Sequence, residues 1–431
     1  MLLVAALATA PALAAPSRAG DDRDFGDSSL TSVPAISGRG WILQGSVRAR
    51  YDTNIRRLGT LQPLPAGQQR ADFLTTPTIE AAVALPVGRQ QLFAGAEFGR
   101  DIYARNTQLS RNRYRFGGGV NLRAGSRCTG SVGAEYSSKQ VQLSEIAGLR
   151  GGVQNILTYG GEANCQAGVG LGFGGSIRRV AQRNSELARQ LLDLDSTVFS
   201  PQISYALPVF GRFSIGGSYN KAVYKRRPVI LTDGSSALDG VDIASGRIGF
   251  SREVGSRLSV SLGASYLNAS PKPQTVLVSP GPALPLVPIV RGTFSGIGYD
   301  GAITYRAGAR LTATLQARRD VQANANVGAQ FRVTKNYGID LDYRLSRAIS
   351  VGTGATFDSN RYRGAFVTPD EPLLRISDRI TRVYGTISYA PVKLYNVALD
   401  VAYQNRVSVP AFYSFKSTSV MLRLGVRLGR Q

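Results

Sequence analysis

No histidine occurs in this chain of 431 residues, and that absence limits its chemistry before any fold is considered. An imidazole base activates the Ser or Cys nucleophile in most hydrolytic triads, and imidazole is a common ligand of catalytic zinc. Neither use is open here. A carboxylate pair could still cleave a glycosidic bond, but no Asp/Glu spacing in the chain singles one out. The run Gly117–Gly119 lies inside an alternating segment rather than between a strand and a helix, so it does not read as a phosphate-cradling loop. The expectation is therefore a protein that is not an enzyme, with no cofactor, no metal and no catalytic residue.

What remains reactive is ionic. Lys and Arg number 51 against 28 Asp and Glu, a net charge of +23. A surplus of this size points to an anionic partner. Many of these charges recur two residues apart, as in Arg48/Arg50 and Arg113/Arg115, a spacing that puts both side chains on one face of a β-strand. On this reading Arg48, Arg50, Arg113, Arg115, Arg247, Arg318, Arg344, Arg382, Arg406 and Arg423 line a polar interior together with Asp320, Asp342 and Asp400. Most of them brace the wall as cross-strand ion pairs, and the arginine excess sets a preference for anions.

The two cysteines, Cys128 and Cys165, each sit beside a short turn, at the start of one alternating segment and the end of the next. Antiparallel pairing brings them together at one rim. An oxidising compartment permits a disulfide there. The alternative is a pair of reduced thiols. With no His and no Cys-x-x-Cys spacing, a metal site is not expected.

The elements that must position these groups are strands. Leu311, Ala313, Leu315 and Ala317 alternate with Thr312, Thr314, Gln316 and Arg318; Val420, Leu422, Leu424, Val426 and Leu428 alternate in the same way around Arg423 and Arg427. Short turns such as Leu85–Arg89, Arg123–Arg127, Glu253–Arg257 and Arg306–Arg310 recur at regular intervals, and longer polar segments lie at the opposite strand ends. Short turns on one side and long loops on the other are the pattern of an outer-membrane barrel. The fold class expected is all-β: a transmembrane antiparallel up-and-down barrel of about eighteen strands without a plug domain. Tyr205, Tyr305 and Tyr389 near the turns, and Tyr219, Tyr266 and Tyr403 toward the loops, predict aromatic girdles at two interfaces.

Leu2–Leu13 is apolar and Ala12-Leu13-Ala14 offers a cleavage site, so residues 1–14 read as a signal peptide. The basic residues that usually precede such a run are missing, which implies a truncated start. Residues 15–40 form a periplasmic lead-in and 41–431 the barrel. Export makes nucleic acid an unsuitable partner; outer-membrane lipid, lipopolysaccharide, the barrel-assembly machinery and an anionic polysaccharide fit. The Pro-rich apolar loop at 271–293 is expected to pack over its neighbours rather than constrict the mouth, and 185–195 has the spacing of a short surface helix.

The stretch Tyr51–Arg57, reading Tyr-Asp-Thr-Asn-Ile-Arg-Arg, resembles the Tyr-Asp-x-Asn-Ile/Val-aromatic-Arg signature of a family of outer-membrane β-barrel porins. Arg56 stands where the aromatic residue is usual. The resemblance implies a barrel associated with exopolysaccharide and capsule production in proteobacteria. Asp52 and Asn54 suit a structural role, since Asx side chains bind local backbone groups and would order the first loop. Two functions follow as expectations. The first is a channel for passive diffusion or export with an anion preference, an acidic exopolysaccharide being a candidate solute. The second is a non-conducting scaffold or adhesin acting through its loops and periplasmic partners.

Overall fold

The computed structural model describes residues 39–64, 66–140, 152–166, 168–278, 285–324, 329–364, 373–392 and 394–430. The signal segment and nearly all of the lead-in lie outside them. In chain order the strands are β1 Gly40–Asp52, β2 Asp72–Val87, β3 Gln90–Tyr103, β4 Arg111–Ala124, β5 Cys128–Gln140, β6 Val153–Gln166, β7 Gly170–Asn184, β8 Leu194–Leu207, β9 Gly211–Ile230, β10 Ser236–Val254, β11 Leu258–Lys272, β12 Thr275–Val278, β13 Val287–Val290, β14 Phe294–Ala307, β15 Leu311–Ala323, β16 Phe331–Arg344, β17 Ile349–Arg363, β18 Ser377–Val392, β19 Tyr395–Val409 and β20 Phe415–Arg430.

Of these twenty, β12 and β13 form a small hairpin within one loop. The other eighteen pair antiparallel with their chain neighbours, and β11 pairs directly with β14. Pairing of β1 with β20 closes the sheet, so no edge is left to template aggregation. The seam shows how alternation becomes two environments. Leu43 faces Leu428, Val47 faces Leu424 and Tyr51 faces Val420 on the outside, while Gln44 faces Arg427 and Arg48 faces Arg423 on the inside.

The outward face is apolar and exposed: Trp41, Ile79, Phe98, Val132, Ile177, Ile215, Ile248, Ile297 and Leu315 all lie open. Such a belt is unsustainable in water and fits the hydrocarbon layer. No helix among the described residues is long and apolar enough to cross a membrane; the strands cross it. The short turns need backbone that L-residues avoid, and Gly125 and Gly255 supply it at φ 64° and 59°. Both described strand termini, at Gly40 and Arg430, lie on this short-turn side, which is the periplasmic one.

At the other end several strands outlast the membrane. β9 has 20 residues and β10 has 19, whereas about 9–11 tilted residues cross the hydrocarbon. The projecting ends carry the buried core. The Pro-rich loop packs back on its neighbour through Leu277 opposite Ile230, with Val276 buried; residues 279–284 lie outside the described part. The segment after β7 is a 3-10 helix, Leu187–Leu192, rather than an α-helix, with Leu192 buried and Leu187 exposed.

Candidate functional site

The periplasmic half of the interior is lined by small polar side chains on β3 to β9. Ser131, Ser176, Ser200, Gln202 and Ser204 point inward there beside Gly174, and they line a recess of about 820 Å³. Small residues leave this space because neighbouring inward positions carry so little volume. Arg89, Arg123 and Arg212 reach the cavity against a single carboxylate, Glu162, so its wall is cationic. Ser131 donates to Glu162 at 3.2 Å, and Asn121 donates to Gln91 at 3.0 Å.

Farther along the wall the charges face one another. Arg115 lies 2.6 Å from Glu97 and 4.0 Å from Glu80, and Arg113 lies 3.4 Å from Glu97. Arg247 holds Asp300 with two hydrogen bonds of 2.8 and 2.6 Å. Arg423 does the same to Asp400 at 2.7 and 2.8 Å, and Thr386 donates to that carboxylate at 2.7 Å. Bidentate pairs fix orientation as well as charge, so these arginines stiffen the sheet. Arg318 pairs with Asp320 at 2.6 Å but remains half exposed. Arg344 is exposed near the inner end of β16, with Asp342 two residues away on the same face. Arg382 stands opposite Gln404, Arg48 opposite Arg423, and Arg50 two residues below Asp52.

Arg406 has a different environment. It points inward but is fully buried, bonded to Asp378 at 2.8 Å beneath the outer loops. Asp378 is enclosed from every side: Arg375 lies 3.0 Å away, and Tyr362 and Ser408 donate at 2.8 and 2.6 Å. Arg375 stacks over the rings of Tyr362 and Tyr413, and the Tyr413 hydroxyl donates to the Leu373 carbonyl at 2.7 Å. The cluster fastens residues 373–376, just ahead of β18, to the mouth. The first loop is clasped similarly. Asp52 accepts from the Asn54 amide at 2.9 Å, from Arg57 at 2.9 Å and from Ser417 at 2.5 Å, while Asn54 bonds Leu58 in both directions. Ile55 inserts beside Leu74, Tyr103 and Leu109.

The third and largest fastening closes on an inward-facing apolar wall. Leu194, Ala222, Tyr224, Val241, Ile243, Leu267 and Ala269 point into the mouth from β8 to β11. Apolar surface inside a wet barrel needs a cover, and the outer end of β15 and the start of β16 provide it. Below, the odd-numbered residues of β15 and β16 face outward, as Leu315 and Ile339 do. Beyond Tyr299 and Arg319, where pairing of β14 with β15 stops, the described end of β15 and the start of β16 tuck inside the wall. Val321, Phe331 and Val333 then pack against the apolar patch.

A β-bulge makes the polar part of this latch. Register between β9 and β10 shifts from Leu238–Pro228 to Gly240–Val223, leaving Asp239 opposite the run Tyr224–Arg227. Such irregularities re-aim side chains. Asp239 lies 2.6 Å from both Arg227 and Arg291 and accepts from the Gln330 side chain at 2.7 Å. The Tyr224 hydroxyl lies 2.6 Å from the Asn324 carbonyl and 2.5 Å from that of Gln330. Arg227 stacks on the Tyr224 ring at 3.6 Å. Burial lowers the pKa of Arg291, and Asp239 opposes that shift. None of Tyr224, Arg227, Asp239, Arg291 and Gln330 stands out by motif. The available signal was Pro228 within an otherwise alternating segment, since proline in a strand marks an edge or a bulge.

Cys128 and Cys165 face each other across β5 and β6 and are joined as a disulfide. It lies on the outward face at the periplasmic rim, two residues from Gly130 and Ala163. Among the described residues no cluster of three or more His, Cys, Asp or Glu could hold a metal ion.

A family model described as "Putative beta-barrel porin 2" matches residues 291–428, a span that contains β14 to β19 and most of β20 and leaves out the Tyr51–Arg57 motif. No curated protein sequence matches the chain. Among solved structures it is similar to OccK2 (OpdF) of Pseudomonas aeruginosa in complex with glucuronate, with 9% identity over 91% of this chain and 98% of that one and a TM-score of 0.48. A BenF-like porin of Pseudomonas fluorescens has 12% identity over 90% and 99% of the two chains, with a TM-score of 0.45. The siderophore receptor PirA of Acinetobacter baumannii has 8% identity over 90% and 80%, with a TM-score of 0.46. The chain is a closed antiparallel β-barrel of eighteen strands with an apolar exterior suited to the outer membrane, and its residues 291–428 resemble a family of β-barrel porins.

Proposed function

We propose that this barrel is a diffusion channel with a preference for anionic solutes, acidic saccharides among them, and that the tucked β15–β16 hairpin narrows its outer mouth. The observation that carries this reading is the periplasmic cavity, with three arginines against one carboxylate and a lining of hydroxyls and amides. Cationic surface in a confined space raises the local concentration of anions. Hydroxyl and amide groups suit polyhydroxylated solutes because they both donate and accept. Export of an acidic exopolysaccharide is the narrower form of the proposal, supported by the resemblance at Tyr51–Arg57.

The test is ion selectivity of the refolded barrel in a planar bilayer, comparing the natural protein with Arg123→Glu/Arg212→Glu. The proposal expects anion preference that falls or reverses in the variant. Identical reversal potentials would count against it. The fastened mouth favours a second reading, a closed scaffold acting through its loops; a correctly folded barrel that never conducts would select it.

A further inference from the structure

On the outward face of β7, β8 and β9, above the membrane belt, three cations converge on one carboxylate. Arg183 lies 2.6 Å from Asp195, Arg179 3.4 Å and Lys225 3.5 Å. Lys221, exposed on the same face, stands opposite Thr197 on one side and Asp242 on the other. Asp242 is the second carboxylate of this patch. Four cations therefore share two carboxylates, an excess of two positive charges on one small patch. Side-chain exposure of 47% for Arg179 and 42% for Lys225 leaves both able to meet a ligand.

Exposed ion pairs contribute little to stability, so the convergence is poorly explained as bracing. Three like charges around one acid also repel one another, and a further anion would relieve them. The position selects the anion. Phe199 and Tyr219 are cross-strand neighbours on the outward face and mark the interface level. Asp195 lies four residues beyond Phe199, about 10 Å higher for a rise of ~3.3 Å per residue and a tilt of ~40°. That height is in the headgroup layer on the long-loop, extracellular side.

We propose that Arg179, Arg183, Lys221 and Lys225 bind a phosphate of an anionic glycolipid in the outer leaflet. A phosphate monoester carries roughly the charge that the patch lacks, and its oxygens accept several charge-assisted hydrogen bonds at once. The site is separate from the lumen and does not depend on what the channel conducts.

The test uses the full chain refolded in detergent and native mass spectrometry with bisphosphorylated lipid A or its dephosphorylated form. One phosphorylated lipid should be retained per barrel, with at least a tenfold preference over the dephosphorylated lipid. Arg179→Ala/Lys225→Ala should abolish that preference. Asp195→Asn, which removes the competing carboxylate, should increase retention several-fold, a gain that a purely structural role for the cluster does not give. Equal retention of both lipids, an unchanged preference in the double variant, or no gain with Asp195→Asn would each overturn the proposal. Displacement by micromolar inorganic phosphate would do so too, since it would mark a site for the free ion.

Discussion

Removing the polar half of the mouth latch should open the barrel without unfolding it. The double variant Tyr224→Phe/Gln330→Ala deletes the hydroxyl that reaches the Asn324 and Gln330 carbonyls and the amide that reaches Asp239. One hydroxyl-to-carbonyl bond is worth about 1 kcal/mol and a bond to a buried carboxylate about 2 kcal/mol, so the tucked hairpin loses about 3 kcal/mol. At 1.4 kcal/mol per factor of ten, the tucked-to-released ratio falls about a hundredfold. The apolar contacts of Val321, Phe331 and Val333 remain, so the hairpin should release intermittently rather than permanently. Single-channel recordings would show longer and larger openings, while heat-modifiable gel mobility and far-UV circular dichroism stay those of a folded barrel. Dwell times and conductance indistinguishable from those of the natural protein, in a folded variant, would refute the latch.

Three further outcomes follow from named contacts. Asp378→Asn takes the negative charge from beside the buried Arg375 and Arg406 and should cost about 3–5 kcal/mol, read as a lower urea midpoint. Cys128→Ser should leave conductance unchanged and lower unfolding stability by at most about 4 kcal/mol for a closed loop of this length; non-reducing peptide mapping should link Cys128 to Cys165 in the natural chain, and free thiols would contradict it. Arg318→Glu/Arg344→Glu places acids at two exposed lumen positions and should shift the reversal potential toward cations. An unchanged potential would show that these two arginines do not set selectivity.

The barrel itself was legible because its signal is local. Alternation at Leu311–Ala317 and Val420–Leu428 needs no partner to be read, and the turn at Glu253–Arg257 announces itself by Gly255. Eighteen barrel strands follow from counting such segments. The bonds of Asp52 to the Asn54 amide and of Asn54 to Leu58 are likewise short-range and agree with what an Asx pair ordinarily does, whereas the Ser417 bond to Asp52 is not local. The mouth was hidden for the opposite reason. Tyr224 meets Asn324 across a hundred residues, through a hairpin whose outward face turns inward only where β14 stops pairing. Period-two reasoning assigns Val321 and Val333 to lipid, and nothing local signals the departure. Arg406 shows a second limit: alternation correctly points it inward, but whether an inward side chain meets water or a buried aspartate depends on loops that the strand pattern does not describe.

The proposed role of this barrel is conduction with a preference for anions. The most direct measurement is the reversal potential of single refolded barrels in a planar bilayer under a salt gradient. Discrete, stable conductance with a potential displaced toward that of the anion is expected. A folded barrel that conducts with cation preference, or never conducts at all, would contradict it.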